Sequence, residues 1–285
     1  MSEKIIKFPR KLNNIYSSYV FFSDLQNELI DSEEQTIILD MSDCEYVHAI
    51  FTSYLGALLH IGHYFGKNIV YRTRRDTKLD KYLRDSGLVE HILTDFRCPK
   101  NKNAIPFKKI TLEDDFIIDY IGNILDLAPI KLNPQAEEML FQNIYEIFSN
   151  AVDHSRAKLG VYACGHWMPK GRYLSFSVYD TGIGIPALVK ETTDNTLSSE
   201  DALLWALKSG HSTKQLIEGT PRGLGLTNLK KFIQLNDGAL IIYANDIYYQ
   251  YKGTELIRSI PSSTIGTLIG ITIIADYNHI YTVKN

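Results

Sequence analysis

Residues 172–186, RYLSFSVYDTGIGIP, decide how this chain is read. Leu174, Phe176 and Val178 alternate with Ser175, Ser177 and Tyr179, which is the period of a strand with one face in a core. The strand ends in Asp180 and turns through Gly182 and Gly184, residues that permit positive φ or a ligand lying close to the main chain. A carboxylate at such a strand end can accept a hydrogen bond from an exocyclic amine while the glycines admit a flat base. The spacing D-x-G-x-G is neither the P-loop, since no GK[ST] follows, nor the dinucleotide fingerprint G-x-G-x-x-G. An ordinary strand-to-loop turn fits the same residues, so the flanking segments decide.

Upstream, PQAEEMLFQNIYEIFSNAVDHS (134–155) reads as a helix with Asn133 as cap and Pro134 in its first turn. Leu140, Ile144, Ile147, Phe148 and Ala151 mark its core face, while Glu146, Asn150 and His154 share another at i, i+4 and i+8. A carboxylate there can serve as general base, and an amide oxygen can bind a Mg²⁺ that already carries triphosphate oxygens. A solvated polar stripe would show the same residues. Downstream, GTPRGLGLTNLKKFIQL (219–235) sets Gly219, Gly223, Leu224 and Gly225 at the start of an amphipathic helix, whose free amides and dipole form an anion site. Between the two glycine segments, residues 185–222 include ETTDNTLSSED and GHSTKQ with Lys214. Their length and polarity predict a mobile lid over phosphates.

Around this centre lies a chain of 285 residues, 45% hydrophobic and 22% charged, enough for one large core or two ordinary ones. The formal charge of -3 argues against broad affinity for nucleic acid or anionic membrane. Cys44, Cys98 and Cys164 lie far apart without metal or disulfide spacing, and MSEKIIKFPR is not followed by a long apolar run. A soluble, unexported, cytoplasmic protein with reduced thiols is expected.

RCPKNKNAIPFKK (97–109), with two prolines and five positive charges, reads as a linker, a surface loop inside one larger domain being the alternative. Before it, TIILD (36–40), HAIFTSYLGALLHIGHYFG (48–66) and NIVYR (68–72) form a βαβ unit. TKLDKYLRDSGLVEHI (77–92) reads as a second helix closed by Gly87, with a short strand after it. After the linker, LEDDFIIDYIGNIL (112–125) is helical, and KLGVYACGHW (158–167), ALIIYAND (239–246) and GTLIGITIIA (266–275) are strands. DIYYQYKG (246–253) reads as an exposed hairpin, and His48, His60 and His63 as packed or surface histidines.

In chain order, EIFSN, DTGIG, RGLGL and the GT of Gly266 and Thr267 resemble the GHKL superfamily: gyrase, the large heat-shock chaperone, histidine kinases and the mismatch-repair ATPase. The resemblance covers about residues 111–285 and implies an α/β sandwich that binds ATP with Mg²⁺. It implies Glu146 as base, Asn150 as Mg²⁺ ligand, Asp180 as the adenine contact supported by Thr267, and Gly182 and Gly184 as the first glycine box. Gly223, Leu224 and Gly225 would take the phosphates with Lys214, and His154 would close the helix motif. Asp153 departs from the pattern, since kinase members often carry a basic residue there.

The N-terminal part looks like a STAS domain, the fold of anti-sigma-factor antagonists, through IILDMSDCEYV (37–47), the Leu-rich helix, GKNIVYR (66–72) and LRDSGLVEHI (83–92). Where that family carries a phosphorylatable Ser or Thr, this chain has His48, Ala49 and Ile50, with Thr52 and Ser53 further into the helix. The expected organisation is α/β throughout: a STAS-like sheet with helices at 1–96, a linker at 97–110 and a GHKL sandwich at 111–285.

A histidine kinase would place a dimerising helical hairpin where the STAS-like module stands, and gyrase-type ATPases continue into a second domain. What remains resembles an anti-sigma-factor kinase or a related ATP-driven switch. The expected function is signalling: phosphorylating a protein hydroxyl, or hydrolysing ATP to switch a protein partner such as an anti-sigma or other regulatory factor. Neither nucleic acid nor membrane is an expected partner, and a homodimer is compatible. The competing class is a non-catalytic, nucleotide-gated interaction module.

Overall fold

The computed structural model describes residues 2–93, 103–110, 114–127, 130–153, 155–208, 225–276 and 280–281. The chain opens with β1 (Glu3–Lys7), β2 (Lys11–Leu12), α1 (Tyr16–Asp31), β3 (Thr36–Asp40), β4 (Tyr46–Val47), a 3₁₀ turn (Ala49–Phe51), α2 (Thr52–Tyr64) and β5 (Asn68–Arg72). β1, β3 and β5 form a parallel sheet in that order, with Lys7, Asp40 and Arg72 in register, as two successive βαβ units require. The helix expected over 77–92 is two, α3 (Lys78–Asp85) and α4 (Leu88–Ile92), because Gly87 takes φ +77° between them and breaks the ladder. The short strand expected after them falls outside the described residues.

The expected linker is corrected over its second half. Ala104–Ile110 is β6, the edge strand of a five-stranded sheet, pairing antiparallel with β8 (Val161–Met168); β7 (Lys131–Leu132) stands apart. Ala104, Ile105, Phe107 and Ile110 are buried while Lys108 and Lys109 face outward, so lysines on a strand's wet side had the composition of a loop. Pro106 sits at a register shift on this edge, where a missing N–H does no harm. Residues 97–102 lie outside the described residues.

The rest of this sheet is β9 (Tyr173–Asp180), β10 (Ala239–Lys252) and β11 (Thr254–Ile274), in the order β10-β11-β9-β8-β6. One face carries α5 (Asp114–Asp126), α6 (Pro134–Asp153) and the helix Gly225–Leu235 through Ile121, Leu140, Phe148 and Phe232. The other face is covered by the N-terminal half. Phe22 and Leu25 of α1 and Tyr54 and Leu58 of α2 share one core with Ile37 and Ile69 below them and Tyr162, Tyr179, Tyr243 and Leu268 above. Sheet, helices, sheet and helices therefore stack in four layers, an α/β architecture with α1 and α2 between two sheets.

The tyrosine segment is also corrected. β10 and β11 are the arms of one long hairpin turning at Gly253, but Tyr248 and Tyr249 are 1% and 0% exposed. Tyr248 packs on Tyr16 and Tyr19 of α1, and the Tyr16 hydroxyl donates to the Ser259 carbonyl at 2.6 Å. No helix among the described residues is long and apolar enough to cross a membrane.

Candidate functional site

Asp180 ends a central strand, with Val161 of β8 and Thr267 of β11 as its neighbours in register. The chain then turns away from the sheet, so the carboxyl is placed where β8 begins and β9 ends while β11 runs on past it. It is 6% exposed and accepts the Gly182 N–H at 2.8 Å. Burial pushes its pKa up to about 7; bonds from the Gly182 and Thr267 amides and from the Ser155 and Thr267 hydroxyls pull it down without cancelling that effect. Thr267 also accepts the Ile185 N–H at 3.2 Å, tying the glycine loop to β11.

The loop is clamped from two further sides. Ser155, just past α6, accepts the Ile183 N–H at 2.9 Å, and a Cβ on Gly182 would lie 1.8 Å from the Ser155 carbonyl oxygen. Asn245 donates from Nδ2 to the Ile183 carbonyl at 2.9 Å and accepts the Ala187 N–H at 3.3 Å. Asn245 sits at an irregularity in the β10–β11 pairing with φ +53°, a bulge that turns its amide under Gly184. Gly184 itself has φ +88° and no room for a side chain above Asn245.

α6 begins as its sequence requires, with the Asn133 side chain accepting the Ala136 N–H at 2.7 Å. It packs against β9 and α5 and reaches the loop through Ser155. Glu146 and Asn150 are half-buried on this helix. Asn143, three residues before Glu146 and seven before Asn150, lies on the same side; it is 4% exposed, and its Nδ2 has no hydrogen-bond partner among the described residues. Sequence reading missed it, although the i, i+3, i+7 spacing was available. Asn245 had no such signal.

The expected lid is corrected in its first half. Ile185–Thr192 is α7 and Ser199–Ala206 is α8, packed on each other through buried Val189, Ala202 and Leu203. Ser198 caps α8 by accepting the Asp201 N–H at 3.0 Å, so the polar stretch that read as a lid is partly helix-capping chemistry. Gly225 opens α9 (Gly225–Leu235). His154, Lys214, Gly223 and Leu224 lie outside the described residues.

The arrangement can accept a base amine at Asp180 and present an amide and a carboxylate from α6. A buried carboxyl beside a glycine turn and an unpaired buried amide at Asn143 fit a nucleotide, and the oxygens of Asn150 and Glu146 fit the hard-cation chemistry of Mg²⁺. Residues 135–272 match the family model of histidine kinase-, DNA gyrase B-, and HSP90-like ATPases. A search of curated proteins returned no match. The matched span runs from the first turn of α6 through Thr272 of β11 and contains Glu146, Asn150, Asp180, Gly182, Gly184, Gly225 and Thr267. The C-terminal half thus carries a GHKL-type ATP-binding domain.

Proposed function

We propose that this protein is a cytoplasmic signalling switch that binds Mg-ATP and either phosphorylates a hydroxyl of a protein partner or hydrolyses the nucleotide to change that partner's state. The observation that carries the reading is the braced, buried carboxyl of Asp180 at the strand end, inside the ATP-binding domain. When bound, the nucleotide supplies an activated phosphoryl group and Mg²⁺ neutralises its oxygens.

Asp180 accepts the adenine amine, and Thr267 and Gly182 hold its carboxyl in place. Asn150 holds the metal through its amide oxygen. Glu146 takes the proton of the attacking hydroxyl or water at its carboxylate. The N-terminal half is a STAS-like, antagonist-like module whose partner is an anti-sigma or similar regulatory factor. A second reading, a non-catalytic interaction module gated by nucleotide, is favoured by the single core that joins the N-terminal helices to the sheet.

Calorimetry and turnover assays on the full chain separate these readings. Asp180→Ala is expected to lose ATP binding while remaining folded. Glu146→Gln should keep ATP affinity and lose about 10² to 10⁴-fold in turnover, the usual share of a general base. Asn150→Ala should weaken both. Wild-type protein that binds ATP but transfers no phosphoryl group to protein or water selects the interaction module. Undiminished binding by a folded Asp180→Ala variant overturns the adenine assignment.

A further inference from the structure

A cavity of about 190 Å³ opens where β4 and the start of α3 meet the turn between β8 and β9. Tyr46, His48, Tyr82, His166 and Tyr173 line it, and Lys78 stands at its rim. Tyr173 begins β9 and Asp180 ends it, so this cavity lies at the opposite end of that strand from the nucleotide site. We propose that the cavity binds a small aromatic carboxylic acid, a single ring bearing one carboxylate, held between the N-terminal half and the sheet.

Size sets the first limit. A cavity of about 150 Å³ holds one benzene, so the space here suits one ring with a small substituent. The walls set the shape. The His48 and Tyr173 rings are parallel to within 4° with centroids 6.4 Å apart, and Tyr82 meets His166 edge-on at 5.5 Å. Aromatic walls meeting both in parallel and edge-on suit an aromatic guest, which can stack on one ring and meet another by its edge.

Polar groups set the rest. His48 Nδ1 accepts the Ile50 N–H at 3.3 Å, which leaves the hydrogen of the neutral ring on Nε2 as a donor. Burial keeps that ring neutral, with its pKa down to about 4. At the rim, Glu45 is already engaged by Arg10 at 2.6 Å, whereas exposed Lys78 has no ion pair among the described residues. Asp85 acts on His166 from behind the wall; toward the cavity itself, the His48 N–H and the Lys78 ammonium are both donors and suit an acceptor such as a carboxylate.

The test uses the full chain with 4-fluorobenzoate and its uncharged analogue 4-fluorobenzamide, followed by fluorine NMR. Saturable binding of the benzoate that ATP does not displace is expected. Lys78→Gln, a surface change without consequence for folding, should weaken the benzoate about two- to fivefold and leave the benzamide unchanged, the size of one partly exposed ion pair. Ala49→Met, which fills the cavity, should remove binding of both. The proposal is overturned if wild-type protein binds neither probe saturably, if ATP displaces the benzoate, or if Lys78→Gln leaves the preference for the acid intact.

Discussion

Asp180 concentrates the electrostatics of the proposed nucleotide site at one atom group. A carboxyl with a pKa near 4 in the unfolded chain and about 7 in the fold holds its proton longer when folded. Its contribution to stability is therefore complete below about pH 4 and is lost as pH rises toward 7, where the folded protein must carry a buried charge. Asp180→Asn removes that titration. Urea unfolding of both proteins should show wild type losing stability relative to the variant between pH 4 and 7, with the difference flat above. A constant difference across that range would mean that Asp180 is not buried as described. The same burial supports the proposed role of the group, because a carboxyl shielded from water would bond an amine without competition from water.

Among the elements, β11 does the most to position the site. Gly266 has φ +81°, and a Cβ there would come within 1.8 Å of the Asp180 carbonyl oxygen. Only glycine lets β11 approach β9 closely enough for Thr267 to reach the carboxyl. Gly266→Ala is expected to cost at least about 1 to 3 kcal/mol from backbone strain alone, seen as a lower unfolding midpoint, and to weaken ATP binding with it. An alanine variant of unchanged stability would contradict the described approach of the two strands. α2 makes the complementary point. Thr52, Ser53, Tyr54, Leu55, Gly56, Ala57 and Leu58 are all buried, because the helix has a sheet on each side. Its polar groups are satisfied across those contacts, with Ser53 bonded to Ser177 at 2.7 Å and Tyr54 to Thr264 at 2.9 Å.

For the whole molecule, the shared core means that the two halves stand or fall together. Ile50 is fully buried in that core, and a Cβ on Gly270 of β11 would lie 1.8 Å from its Cδ1. Gly270→Ala should therefore destabilise by about 1 to 3 kcal/mol through overpacking. Ile50→Ala alone should cost about 2 to 5 kcal/mol through the cavity it leaves. The double variant should be less damaged than the two losses added, with a coupling of about 0.5 to 3 kcal/mol in denaturant titrations. Strict additivity would show that the N-terminal half does not rest on β11 at this point. Within the same junction, Gln26 of α1 accepts from the Thr264 hydroxyl and the Ile265 N–H while donating to Tyr179. One side chain thus connects the first helix to both central strands.

By itself the sequence determined what depends on near neighbours. Alternation gave β9, the i, i+4 spacing placed Glu146 and Asn150 on one side of α6, Asn133 announced the helix start, and Asp180 with its glycines marked the loop. The order of these motifs along the chain carried the family, because each is a local pattern that survives without knowledge of the fold. Tertiary structure decided the rest. β6 became a strand because its apolar residues found β8 as a partner, and Tyr248 of the hairpin became core because α1 lay over it while Tyr249 was buried on the opposite face. Asn245 entered the site only because β11 and the glycine loop converge on a bulge some sixty residues further on. Pairing partners and burial are long-range quantities; a local period shows which face of an element is apolar, and only packing decides what that face meets.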